Sequence, residues 1–137
     1  MIVEKLDHVN IITDKLSETA RFYSELLDLT DSDGAPGMPP EQVRWMLDDQ
    51  NNALLHLNSS DYKRVYNRAV PDGADTGPIH HVALRCTDFD EMIRRLTARG
   101  AEYKINDLSA YGLRQIFTND PNNVLLELNY FDAPAAA

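Results

Sequence analysis

Three histidines and one glutamate stand where their chemistry needs an account. His8 lies in LDHVNII (residues 6–12), His81 in IHHVALR (79–85), His56 in LLHLN (54–58) and Glu127 in LLELN (125–129). His56 and Glu127 each sit between two leucines, so on an extended strand each polar side chain occupies the face opposite its apolar neighbours. A carboxylate inside VLLELNYF is costly to bury unless it is paired, protonated or bound to a cation. One histidine on a strand demands no such explanation, but four groups at matched places do. Three imidazoles and a carboxylate form a donor set suited to one divalent transition metal, with Ni, Co, Zn, Mn and Fe all in range.

The places are matched because the chain repeats. His81 follows His8 by 73 positions and Glu127 follows His56 by 71, a difference that loops absorb. We read two copies of one module, at residues 1–58 and 79–132, joined by a linker at 59–78 and followed by a disordered tail at 133–137. Two copies do not make a solenoid. The linker holds a short helical possibility in SDYKRVYNRAV before a Pro-Asp-Gly turn.

Each copy opens on a strand of near-alternating β-branched and apolar residues. The alternation puts His8 with Asn10 and Ile12, and His81 with Ala83 and Arg85, while Val9, Ile11, Val82 and Leu84 face the other way, toward a helix. His80 then falls on the opposite face from His81, as an edge group or one that supports a ligand. Its counterpart in the first copy is Asp7.

A helix follows each opening strand. The first runs from Leu16 or Ser17 to Leu27, burying Phe22, Tyr23, Leu26 and Leu27. The second is capped by Asp88 with Glu91 three positions on, carries Phe89, Met92, Ile93 and Leu96 as its apolar stripe, and stops at Gly100. Three shorter strands come next in each copy, near 29–33, at 43–47 and at 53–58 in the first, and at AEYKI, LRQIFT and VLLELNYF in the second. DDQNN and TNDPNN are turn chemistry between the last two. GAPGMPP (34–40) is too rich in Pro and Gly for regular structure and reads as a flap in which Met38 could close over a ligand. The fold class is α+β, two βαβββ modules in tandem that form a cupped mixed β-sheet.

Composition narrows the function. The 137 residues include 13 Lys and Arg against 22 Asp and Glu, a formal charge of -9. Such a chain has no general affinity for nucleic-acid phosphates or anionic lipid. One cysteine, Cys86, forms no intramolecular disulfide, the opening MIVEKLDHVNII lacks a secretory signal, and no run nears the roughly 18 apolar residues of a membrane span. We expect a cytoplasmic protein with a small-molecule substrate.

LDHVNI, RFYSELLDL, HHVALRCTDFDEMIRRLTARG and FTNDPNNVLLELNYF resemble the recurring segments of the vicinal oxygen chelate superfamily. That group includes glyoxalase I, methylmalonyl-CoA epimerase, extradiol dioxygenases and the fosfomycin and bleomycin resistance proteins. The resemblance runs from Leu6 to about Phe131. It implies paired βαβββ modules, metal ligands on the first and last strand of each, at His8, His56, His81 and Glu127, and a homodimer.

A divalent ion holding two neighbouring substrate oxygens acts as a Lewis acid. With all four side chains bound, an octahedral ion keeps two positions, enough for a bidentate substrate in glyoxalase-like lyase or isomerase chemistry. With His56 off the metal, His8, His81 and Glu127 form a two-His, one-carboxylate triad with room for a catechol and dioxygen on Fe(II). The resemblance implies that Glu127 also shuttles a proton, and His56 is the second catalytic candidate. Three His and one Glu match neither bacterial glyoxalase I, with a carboxylate at the position of His56, nor the epimerase, with Gln there. A non-catalytic binder would not be expected to keep four metal-type side chains, and no dense Lys and Arg cluster marks a resistance transferase. Asn10, Arg85, Tyr111, Arg114 and Trp45 are the substrate-binding candidates. Arg114 and Gln115 alternate faces on one strand, so at most one of them enters a pocket.

Overall fold

The computed structural model of the chain describes residues 3–63 and 76–131. The chain divides into two units, Met1–Val70 and Pro71–Ala137. The helical possibility in the linker lies mostly outside the described residues, as does the tail.

The first unit runs β1 (Val9–Thr13), α1 (Leu16–Leu27), β2 (Thr30–Asp33), β3 (Val43–Leu47) and β4 (Ala53–Ser59). Its four strands form one sheet in the order β1-β4-β3-β2, with β1 parallel to β4 and the other neighbours antiparallel. The second unit repeats this with β5 (Val82–Cys86), α2 (Phe89–Arg99), β6 (Tyr103–Leu108), β7 (Leu113–Asn119) and β8 (Leu125–Tyr130), ordered β5-β8-β7-β6. Each unit is therefore βαβββ. His8 and His81 lie one residue before the strands that the sequence assigned them to.

Alternation sets what each sheet buries. Leu55, Leu57 and Met46 pack on the α1 side of the first sheet, and Leu126, Leu128 and Ile116 on the α2 side of the second, all almost fully buried. Helix α1 adds Phe22, Tyr23 and Leu26, and α2 adds Phe89, Met92 and Leu96. The carboxylate of Asp88 accepts the Glu91 N–H at 3.2 Å, and Gly100 closes α2 in the left-handed region at φ 65.

The turn before the last strand is the same in both units. Asn51 and Asn123 each take φ 63, and the Asp48 and Asp120 carboxylates each accept two backbone N–H groups, those of Gln50 and Asn52 in one case and of Asn122 and Val124 in the other. These turns fix the register that sets His56 and Glu127 against their neighbours. Residues 34–40 fold back on their own unit, with the Val43 N–H donated to the Pro39 carbonyl at 3.0 Å. A methyl group on Gly34 would sit 2.8 Å from Met38 Sδ and 2.9 Å from Val43 Cγ1, so the glycine is what lets Met38 and Val43 close together there. Among the described residues, no helix is long and apolar enough to cross a membrane.

Candidate functional site

Pairing defines the polar face of each sheet. In the first unit Asn10 stands opposite His56 and Trp45 opposite His56 from the other side. In the second, Ala83 and Phe117 flank Glu127 in the same way. His8 and His81 each lie two residues before the partner of the last-strand donor.

His8 and His56 stack, ring centroids 3.7 Å apart and 10° from parallel, and Trp45 covers the other face of His56 at 4.3 Å and 15°. His56 is thus the middle ring of three. Burial lowers its pKa below the ordinary histidine range and the neighbouring His8 adds to this, opposed by Asp7. The His8 Nδ1–H donates to Asp7 Oδ1 at 2.6 Å, which holds the Asp7 carboxyl below the usual carboxylate range. An ionised carboxylate accepts only, so Nδ1 of His8 carries the proton in this contact. Beside the stack, Asn10 Nδ2 donates to Asn58 Oδ1 at 3.0 Å, and Asn58 is only 4% exposed.

In the second unit, His80 Nδ1 and His81 Nδ1 share a hydrogen bond at 2.9 Å. His80, like its counterpart Asp7, thus engages the inner nitrogen of the next histidine. His81 Nε2 then faces Glu127 Oε1 at 3.8 Å, an ion-pair distance beyond hydrogen-bond reach, so neither atom is spent on the other. The Glu127 side chain is 17% exposed. Its second oxygen, Oε2, accepts from Asn129 Nδ2 at 3.0 Å.

The substrate-binding candidates divide. Asn10 and Trp45 join the His8–His56 cluster. Arg85 stands opposite Asn129 on the face of Glu127, with its guanidinium 4.2 Å above the Phe131 ring. Arg114 does not share that face. It is in phase with buried Ile116, and its guanidinium lies 4.0 Å over the ring of Phe89 in α2, so Gln115 takes the polar side. Tyr111 is 84% exposed in a short 3-10 turn, Ser109–Tyr111, outside either cluster. Sequence reasoning missed Asn129 as a partner of Glu127. The signal was alternation along β8, which puts Asn129, two residues on, on the same face as Glu127.

Within each unit the described residues bring together a pair of metal-type donors, and no group of three or more. Imidazole and carboxylate are donor types that suit a divalent transition ion, and the inner nitrogen of each of these two histidines is held by a neighbour, Nδ1 of His8 by Asp7 and Nδ1 of His81 by His80. That is the support metal-ligating histidines commonly have.

With this geometry in hand, the family follows. The model of the Glyoxalase/Bleomycin resistance protein/Dioxygenase superfamily matches residues 5–128, and the chain belongs to that superfamily. Among solved structures, the chain is similar to the fosfomycin resistance protein FosX of Listeria monocytogenes, with TM-score 0.67 and 19% identity over 94% of each chain. It is also similar to lactoylglutathione lyase of Agrobacterium tumefaciens, with TM-score 0.65 and 17% identity over 95% of this chain and 96% of that one. Virulence protein STM3117 of Salmonella typhimurium matches at TM-score 0.65 and 15% identity, covering 95% and 98%. At these identities the likeness is one of fold. A comparison with curated proteins finds no match.

Proposed function

We propose that the chain is a divalent-metal-dependent enzyme that acts on a small oxygenated metabolite through two neighbouring substrate oxygens, with His8, His81 and Glu127 as ligands. The observation that carries this reading is the repeat-matched engagement of the inner ring nitrogen, Nδ1. At equivalent positions, Asp7 holds Nδ1 of His8 and His80 holds Nδ1 of His81. A bound ion would supply Lewis-acid stabilisation of charge developing on the substrate oxygens.

The stack bears on the ligand number. An imidazole lone pair lies in the ring plane, so two rings 3.7 Å apart and nearly parallel aim their lone pairs side by side and not at a common point. That geometry supports a three-ligand set with His56 off the ion. The lowered pKa of His56 leaves it neutral near pH 7 and able to take a proton from substrate. Glu127 can do the same through Oε1, the oxygen that Asn129 does not occupy. Proton transfer between these groups and substrate is lyase or isomerase chemistry. Lactoylglutathione lyase among the similar structures is in keeping with it. A second reading, Fe(II)-dependent ring-cleaving oxygenation, is favoured by the same stack because three ligands leave three positions.

The test is metal content of anaerobically purified, untagged protein by inductively coupled plasma mass spectrometry. Near-stoichiometric metal is expected in wild type and in His56→Ala, and its loss in Glu127→Gln. Loss in His56→Ala would restore the four-ligand set, and absence of metal after reconstitution would leave a non-catalytic binder. Iron, with turnover of catechols that needs dioxygen, would move the assignment to the second reading.

A further inference from the structure

The polar face of the second sheet carries a row of side-chain amides that runs strand to strand and ends on Glu127. Asn106 on β6, Gln115 on β7 and Asn129 on β8 are successive register partners. Asn106 Nδ2 donates to Gln115 Oε1 at 2.8 Å, Gln115 Nε2 to Asn129 Oδ1 at 3.0 Å, and Asn129 Nδ2 to Glu127 Oε2 at 3.0 Å.

The direction of this row is set by its end. An ionised carboxylate only accepts, so Asn129 must turn its NH2 to Glu127 and its oxygen to Gln115. Gln115 must then donate to Asn129 and accept from Asn106. No other orientation of the three amides keeps every contact favourable. The row also becomes less exposed as it goes inward, from Asn106 at the surface to the mostly buried Glu127.

The repeat supplies an internal control. Asn58 is the counterpart of Asn129, but its β3 partner is buried Val43 where β7 has Gln115. The unit whose last strand carries an imidazole has an aromatic stack beside it, and the unit that carries the carboxylate has the amide row. The row follows the carboxylate and not the fold.

We infer that Asn129, oriented by Gln115, is a positioning residue that engages Oε2 of Glu127 and leaves Oε1 as its single outward donor. This rests on the reading of Glu127 as a metal ligand. Free to turn, the carboxylate would offer either oxygen or both. Held by Asn129, it offers one oxygen toward the side where His81 Nε2 lies.

The experiment is Co2+ affinity by calorimetry on the full chain, with circular dichroism as a check of folding, for wild type, Glu127→Gln, Asn129→Leu, Gln115→Met and Gln115→Glu. Loss of Asn129 should weaken Co2+ binding about tenfold or more, the usual effect of removing a residue that supports a ligand. Gln115→Met should have a smaller effect in the same direction. Gln115→Glu is decisive because it keeps the shape and reverses the row. A carboxylate at 115 accepts from Asn129, turning the Asn129 oxygen against Glu127. Affinity should fall even though an added negative charge by itself attracts a dication.

A folded Asn129→Leu protein that binds Co2+ like wild type, or tighter binding by Gln115→Glu, would overturn the inference while leaving Glu127 as a ligand. Equal binding by wild type and Glu127→Gln would overturn the ligand reading itself. The contact is judged separately in metal-free protein, where the Asn129 side-chain amide resonances should move in Glu127→Gln and in Gln115→Glu. Resonances that stay in place would overturn the inference whatever the metal does.

Discussion

His56 combines two properties at the scale of one residue, a ring covered on both faces and a pKa below the ordinary histidine range. Because the folded value is lowered, the unfolded chain takes up the proton first as pH falls. The stability His56 contributes is complete above about pH 6.5 and is lost as pH drops through its lowered folded value. Metal-free wild type should therefore lose urea resistance between pH 7.5 and 5.5 more steeply than His56→Gln. Parallel midpoints over that range would show that the stack does not disfavour the imidazolium. Asp7 shifts in the same direction but is fully exposed beside His8, so its effect comes only at more acid pH and is screened by solvent.

Among the elements, the two Asp turns set the register on which both clusters depend. Asp120 is 5% exposed and accepts the N–H groups of Asn122 at 2.7 Å and Val124 at 2.9 Å. Asp120→Ala should cost about 2 kcal/mol, the scale of losing hydrogen bonds to a buried charged acceptor, read as a shift of the denaturation midpoint. Asp48→Ala, in the exposed equivalent turn, should cost less, and equal losses would contradict the role given to burial. These turns, both helices with the cap at Asp88, and the leucine-flanked His56 and Glu127 were all legible in the sequence, because each signal is local and periodic. Contacts across strands were not. The stack of Trp45 on His56 and the bond from Gln115 to Asn129 depend on register between strands, which alternation alone does not assign. The Arg114 placement was recoverable, since buried Ile116 and Thr118 keep its phase on the helix side. The back-folding of residues 34–40 was not, because Pro and Gly exclude regular structure without saying where the chain goes.

For the whole molecule, an ion that binds the folded chain and not the unfolded one stabilises it by mass action. At a free concentration one hundred times Kd the gain is about 2.7 kcal/mol, which for a chain of this size is a rise in Tm of several degrees. Co2+ should raise the Tm of wild type and not that of Glu127→Gln. Mg2+ serves as the control, because a chain of net charge -9 attracts cations of any kind and Mg2+ prefers oxygen ligands. An equal rise with both ions would mean general charge screening. The ring over His56 has one more consequence at this scale. Trp45 is the sole tryptophan of the chain, so the indole light emitted by the entire protein comes from a position one imidazole removed from His8. Unlabelled protein thereby carries its own lamp beside the chemistry, and whatever parts the stack changes its brightness.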